Sequence, residues 1–388
     1  MLVDLHAHYP MHVLPRERRR THAQLERWKR ARLRAWIVRL LSRFFNYQGP
    51  GDEPGVTVEL MRRGNVGMIF SALYCPFDEM DLSKRYGAPP EGSYFNDLLE
   101  QLEDVEADIC SHRQAGADVI VAHSLAELEQ ALVDGTLALI HSVEGGFHMG
   151  ESEEEVDRNV AELAQHGVVC ITVAHLFWRK LATNAPALPF MPDWLYRFIF
   201  RQPRTGLTPL GAALITAMAR HGILIDVTHM SEAAMSDTFA LLDELAGEDR
   251  IPVLATHMAC RPQNGGYAYN LSEEMIGRIA KRGGVLGLIS CEHYISDGQP
   301  TPASFKDSLE LLIAQIDRIC AITKSKDHVA FGSDCDGYIK PALPGLEHMG
   351  QMHRLQEALA GKYEADVARK FCSDNALRVI RENWQRPL

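Results

Sequence analysis

Long apolar runs are missing from this 388-residue chain. No stretch approaches the roughly 18 consecutive apolar residues that a membrane-spanning helix requires, so no transmembrane segment is expected. Positive charge is also in deficit. Lys and Arg number 40 against 51 Asp and Glu, and the net charge of −11 argues against nucleic acid as a partner. The eight cysteines (Cys75, Cys110, Cys170, Cys260, Cys291, Cys320, Cys335 and Cys372) form no CxxC pair and no dense framework. Several lie inside apolar runs, which suits reduced, buried thiols and leads us to expect a cytoplasmic protein. Internal repeats and low-complexity segments are absent, and the first apolar run starts so early that no signal peptide is expected ahead of it. No glycine-rich phosphate loop follows that run, which ranks a doubly wound nucleotide-binding sheet second among the folds considered.

What is present is an ordinary globular composition, 46% hydrophobic and 23% charged. Short, nearly continuous apolar runs predict strands at Val3–His6, Val66–Leu73, Leu137–Val143, Val168–Ala174, Ile223–Thr228, Val253–Thr256, Val285–Ile289 and Val329–Ser333. Asp118–Ala122 reads as an extra strand outside that set. Helical periodicity intervenes at Tyr94–Ala115, Glu153–His166, Pro209–His221, Ala233–Leu245, Glu273–Arg282 and Phe305–Thr323. Eight buried strands alternating with helices predict a single α/β domain over residues 1–388, a distorted (β/α)8 TIM-like barrel. Two insertions interrupt it, at about 9–60 and 180–205. The first contains Arg16–Arg43, with eleven Arg and Lys residues interleaved with Trp28 and Trp36. It reads as a basic amphipathic helix, taken as a solvated helix over the barrel mouth in preference to one that touches a membrane or an acidic partner. The second, Lys180–Arg204, is rich in Pro and aromatics (Phe190, Trp194, Tyr196, Phe198, Phe200) and is expected to line the rim of a site.

The chemistry gathers at strand ends. His6 and His8 are two apart on the first strand, so both imidazoles point to one face. Glu144 ends the third predicted strand, His175 the fourth, His229 the fifth, His257 the sixth and Asp334 the eighth. A lone histidine is more often structural and a lone Asp-x-Asp-Gly more often a turn. In a parallel barrel, however, all carboxyl strand ends converge on one mouth, so these residues would share one site. The inventory suits two divalent ions, one on His6 and His8 and one on His229 and His257, with Glu144 bridging. Imidazole and carboxylate donors favour zinc first, then manganese, cobalt or iron. Paired metals about 3.5–4 Å apart share a water whose pKa falls near 7, giving a hydroxide nucleophile. Asp334 is placed to move a proton from it to a leaving amine, and His175, outside both ligand pairs, to donate to a developing oxyanion. Hydrolysis of an amide or ester uses all these parts.

Glu144-Gly145-Gly146, Gly206-Leu207-Thr208-Pro209-Leu210-Gly211, Ile225-Asp226-Val227-Thr228-His229, Gly332-Ser333-Asp334-Cys335-Asp336-Gly337, Gly345-Leu346-Glu347-His348 and the closing Asp374-Asn375-Ala376-Leu377-Arg378-Val379 resemble, in order, the renal (membrane) dipeptidase family of the amidohydrolase superfamily. The resemblance implies a distorted (β/α)8 barrel, a binuclear zinc centre and hydrolysis of dipeptides, often with a D-residue at the C-terminal position. Residue by residue, it implies His6, Glu144, His229 and His257 as ligands, His175 as a substrate contact and Asp334 as the proton shuttle. Family members are commonly dimers, which makes a homodimer the expectation.

Two departures stand out. The family usually carries His-x-Asp on the first strand, and here the second position is His8, leaving a metal pair about one charge more positive. The family also places an Arg-Asn pair after the sixth-strand histidine, its arginine holding the dipeptide's terminal carboxylate. The matching stretch Arg261–Asn270 has Tyr269 before Asn270 and is one residue longer. A tyrosine hydroxyl cannot replace a bidentate guanidinium. Arg261, Tyr269 and Asn270 are therefore the substrate-side candidates, with Arg261 the one cation at hand. The expectation is a metal-dependent hydrolase of a dipeptide-like small molecule. The rival substrates are N-acyl amino acids, lactones or peptides without a free terminal carboxylate. A non-catalytic binding relative would have no use for Asp334 beside a full ligand set.

Overall fold

Among the described residues nine strands, all parallel, follow in chain order: β1 Leu2–Ala7, β2 Val66–Leu73, β3 Val119–Val121, β4 Leu137–Glu144, β5 Cys170–Thr172, β6 Leu224–Asp226, β7 Val253–Met258, β8 Val285–Leu288 and β9 Val329–Phe331. They belong to a computed structural model that describes residues 1–13, 54–79, 84–189, 191–337 and 342–387. The sheet runs β2-β1-β9-β8-β7-β6-β5-β4 and closes through the register Met68↔Ala138 to Leu73↔Val143 between β2 and β4. All eight predicted barrel strands are present, some shorter at their ends. The extra strand is β3. It pairs with the first half of β4 (Val119↔Leu137), while β5 takes the second half (Ser142↔Cys170), so an eight-residue β4 serves two partners on one edge.

The helices form where the periodicity predicts, and their starts have a common cause. Thr57, Ser124, Ser152, Thr208, Ser231, Ser272 and Ser304 each accept a hydrogen bond from a backbone N–H in the first turn of the helix that follows. One apolar cluster takes residues from all eight barrel strands, among them Leu5, Phe70, Ile140, Cys170, Leu224, Leu254, Val285 and Ala330, together with Ile380 and Trp384 at the chain's end. The packing there is tight. A Cβ at Gly287 or Gly332 would stand 1.9 or 1.8 Å from the Thr256 carbonyl oxygen, so only glycine lets β8 and β9 approach β7 this closely.

Several resembling motifs prove to be architecture. Thr208 caps the helix Pro209–His221, and a Cβ on Gly211 would lie 2.3 Å from the Leu181 carbonyl oxygen. His348 caps a helical turn through Nδ1, and Gly345 holds φ at +81°. Asn375 is buried and donates to the carbonyls of Lys326 and Val329 at 2.8 Å, fixing the last helix beneath β9. The basic stretch Arg16–Arg43, most of the first insertion and Phe190 lie outside the described residues. The second insertion contains the helix Asp193–Ile199 and touches the barrel at the rim, where the Ala185 N–H donates to the His229 carbonyl at 2.7 Å.

Candidate metal centre

β1 delivers His6 and, one residue past its end, His8; Glu144 is the last residue of β4, and His257 lies in β7. His175, His229 and Asp334 stand three residues past β5, β6 and β9. The topology therefore brings all seven to the carboxyl end of the barrel. They meet around one carboxylate. Glu144 Oε1 lies 3.3 Å from Nε2 of His6 and of His175, 3.4 Å from that of His257 and 3.6 Å from that of His229, while Oε2 lies 3.5 Å from His8 Nε2. Asp334 Oδ1 is 3.1 Å from His8 Nε2 and 3.9 Å from His6 Nε2.

The donor chemistry fits divalent cations. Two pairs of Nε2 atoms face each other, His6 with His8 at 3.2 Å and His229 with His257 at 3.1 Å. The sequence reading gave these same two pairs to separate ions, whereas the shared Glu144 also brings His257 beside His6 and His229 beside His175. Nδ1 of His8 and of His229 is buried without a hydrogen-bond partner among the described residues. Donor atoms fall into three overlapping triads, His6–Glu144–His257, His6–His8–Asp334 and Glu144–His175–His229. The carboxylate missing at position 8 is thus offered in the same triad by Asp334, and His175 stands closer to the ligand set than the sequence reading placed it.

Burial alone would raise the Glu144 carboxyl, but the imidazoles of His175, His6 and His8 outweigh it and hold the group well below the carboxylate range. Burial, reinforced by neighbouring His6, drives His257 well below the usual histidine value, and burial together with His175 lowers His229. Neutral imidazoles of this kind keep the lone pair that a metal requires.

Three acids missed by the sequence reading support the site from beneath. Glu79 ends a single helical turn after β2; its Oε2 lies 2.6 Å from His175 Nδ1 and accepts from the Tyr74 hydroxyl at 2.7 Å, while Oε1 accepts from the Phe177 N–H at 2.9 Å. Burial opposes a charge on His175, yet Glu144 and Glu79 on either side push its pKa up to about 10. Asp226, wholly buried in β6, accepts from the hydroxyls of Thr172, Thr228 and Thr256 at 2.6 Å and from the amides of Thr228 and Thr256, lacing β5, β6 and β7 together. Asp4 accepts from the amides of His6 and Ser333, joining β1 to the strand end of Asp334. The available signal was an acid inside an apolar strand, Leu-Val-Asp-Leu and Leu-Ile-Asp-Val. His229 (φ 66°) and Asp334 (φ 55°) both hold left-handed backbone, a conformation retained where the surroundings over-determine it.

The substrate-side candidates are already engaged. Arg261 donates to the Tyr267 and Ala268 carbonyls at 3.1 and 2.9 Å and pairs with Glu232 at 2.9 Å, so its guanidinium is spent within its own surroundings. Tyr269 packs its ring 5.1 Å from His229 and donates its hydroxyl to the His257 carbonyl at 2.5 Å. Asn270 is fully buried, donating to the Tyr294 carbonyl and to Asp297. The last two hold the loop against the histidines.

A closed parallel barrel with a buried cluster of imidazoles and carboxylates at its carboxyl end defines a metal-dependent hydrolase class. The family model of membrane dipeptidases, peptidase family M19, matches residues 43–386, and the chain belongs to that family. It is 24% identical over 341 residues to the dipeptidase tcpJ of Claviceps purpurea, covering 84% of this chain and 69% of that one. It is 29% identical over 276 residues to an uncharacterized protein encoded in the pqqA 5′ region of Klebsiella pneumoniae, covering 68% of this chain and 88% of that one. Among solved structures, dipeptidase AC of family M19 superposes with a TM-score of 0.68 at 19% identity, over 99% of this chain and 98% of that one. A Rhodobacter sphaeroides metallopeptidase, bound to a phosphinate mimic of L-Ala-D-Ala, superposes at 0.67 with 19% identity over 99% of both chains.

Proposed function

We propose that the protein hydrolyses the amide bond of a dipeptide with a pair of divalent ions, zinc by the character of its donors. One observation carries this reading: five Nε2 atoms gather within 3.6 Å of the single buried carboxylate of Glu144. His6, His8, Glu144, His229 and His257 would hold the ions, which would supply Lewis acidity and a water acidified to a pKa of about 7. Asp334 is the most exposed carboxylate of the cluster, its side chain 17% accessible against 2% for Glu144, and so faces the side from which substrate arrives. It takes a proton from the attacking water and passes it to the leaving amine. His175, held at Nδ1 by Glu79, directs Nε2 toward the oxygen of the scissile carbonyl. The test is direct. Purified protein reconstituted with zinc should carry close to two ions per chain and cleave unblocked dipeptides; one tightly held ion under excess zinc would refute the binuclear reading.

A second reading concerns the substrate. Because the donors of Arg261 are committed to two carbonyls and Glu232, a substrate without a free terminal carboxylate also suits the site. Comparing kcat/KM for a dipeptide and its C-terminal amide decides between them. A free-acid preference that Arg261→Ala abolishes assigns the carboxylate to Arg261, and indifference or a preference for the amide favours the second reading. We also assign the protein to the cytoplasm. The scattered placing of the eight cysteines, without a CxxC pair or a dense framework, supports that placement, and cell fractionation checks it.

A further inference from the structure

The insertion after β5 bears a surface that the metal centre does not use. Tyr196 anchors the helix Asp193–Ile199: its ring is buried and stacked on Phe177 (centroids 6.5 Å apart, 13° between planes), and its hydroxyl accepts from the Asn184 amide at 2.8 Å. With that side fixed, the other projects. Trp194 is 70% exposed, Phe198 66% and Ile199 49%. Trp194 and Phe198 lie four residues apart and so share one face of the helix. Seven large apolar side chains stand exposed among the described residues, and three belong to this one short helix. A fourth, Tyr86, packs 5.4 Å from the ring of Phe200 at the helix's end. Exposed apolar side chains scattered singly need no explanation, whereas a cluster marks an interaction site.

Cations frame the cluster. Arg197, Arg201 and Arg204 form no ion pair among the described residues, and the Arg201 guanidinium lies 5.8 Å from the Phe198 ring centroid. These three, with Arg261, line a cavity of about 620 Å³ between the insertion and the loops that follow β6 and β7. The helix's one acid, Asp193, turns inward and accepts from the Ala268 N–H at 2.9 Å. We propose that this face docks on a bilayer of anionic phospholipid, its aromatics entering the boundary between headgroups and acyl chains and its arginines and cavity receiving headgroup phosphates. Aromatic side chains set beside arginines on a short amphipathic helix match the chemistry of that boundary. In a chain of net charge −11, a local excess of cations beside Trp194 is complementary to an anionic surface. A second copy meeting this face across a two-fold axis would instead set the same three arginines against one another.

The experiment sediments the full-length protein with vesicles of phosphatidylcholine, alone or with about one third phosphatidylglycerol, at low salt. Wild type should pellet with the anionic vesicles only and be released by salt. The variant Trp194→Ala/Phe198→Ala should lose at least about tenfold in partition, and Arg197→Gln/Arg201→Gln/Arg204→Gln roughly a hundredfold, at about fivefold per arginine. Tm and hydrolysis of a soluble substrate should be unchanged in both. Equal pelleting with neutral vesicles overturns the proposal, as does vesicle binding that survives both sets of substitutions. Complete displacement by soluble glycerophosphate shows that the cavity takes the free anion and also overturns it. So does a lipid-free dimer, seen in sedimentation equilibrium, that the aromatic double variant splits.

Discussion

Replacing Glu79 by Ala tests whether the reactive geometry depends on a residue that touches neither ion nor substrate. The substitution deletes the acceptor for His175 Nδ1 at 2.6 Å, for the Tyr74 hydroxyl at 2.7 Å and for the Phe177 amide at 2.9 Å, all inside the fold. A hydrogen bond to a charged group contributes about 1.5–3 kcal/mol. Loss of a group that orients a ligating or polarising histidine typically costs about 10–100-fold in activity or metal affinity. We therefore expect kcat/KM to fall by about 10–100-fold in Glu79→Ala. Glu79→Gln should fall less, because an amide oxygen can still accept from Nδ1. The assay pairs kcat/KM on a dipeptide with metal content per chain and Tm. A lower Tm with unchanged kcat/KM would refute the reasoning and reduce Glu79 to an anchor for the turn after β2.

Glu144→Ala should lose most of the bound metal, measured by atomic emission after dialysis, because it removes the one carboxylate that all five imidazoles surround. Asp334→Asn should keep metal and fold while kcat collapses, since an amide cannot accept the proton; near-normal kcat would make Asp334 a loop residue only. Asp226→Ala removes an acceptor shared by five buried donors, only some of which keep a second partner, and should destabilise the fold by about 3 kcal/mol in urea titration. Burial would raise Glu106, but hydrogen bonds from His123 and His141 prevail and bring it down to about 2. A carboxyl lowered by folding stabilises above its unfolded value, and that contribution disappears as pH falls through the folded one. Glu106→Gln should accordingly cost roughly 1–2 kcal/mol at neutral pH, allowing for solvent screening, with the difference from wild type closing between about pH 4.5 and pH 2.

The sequence by itself determined the barrel and much of its chemistry. Continuous apolar runs such as Ile223–Thr228 carry a strand signal because both faces are buried, and a parallel barrel then dictates that strand ends share one mouth. His6, Glu144, His229 and His257 could be read from that rule alone. Tertiary structure decided what depends on contacts between distant segments. Glu79 reaches His175 across 96 positions of sequence, and Asp226 reaches threonines of the neighbouring strands β5 and β7, so neither role leaves a local pattern. The left-handed backbone of His229 and Asp334 accompanies contacts with distant segments, the Asp334 N–H donating to the His6 carbonyl at 2.9 Å and the His229 carbonyl accepting from the Ala185 N–H at 2.7 Å. Arg261 shows the same limit from the other side. Its charge was legible, but whether a guanidinium is free or spent depends on Glu232 and the carbonyls of Tyr267 and Ala268, which only the folded loop brings to it.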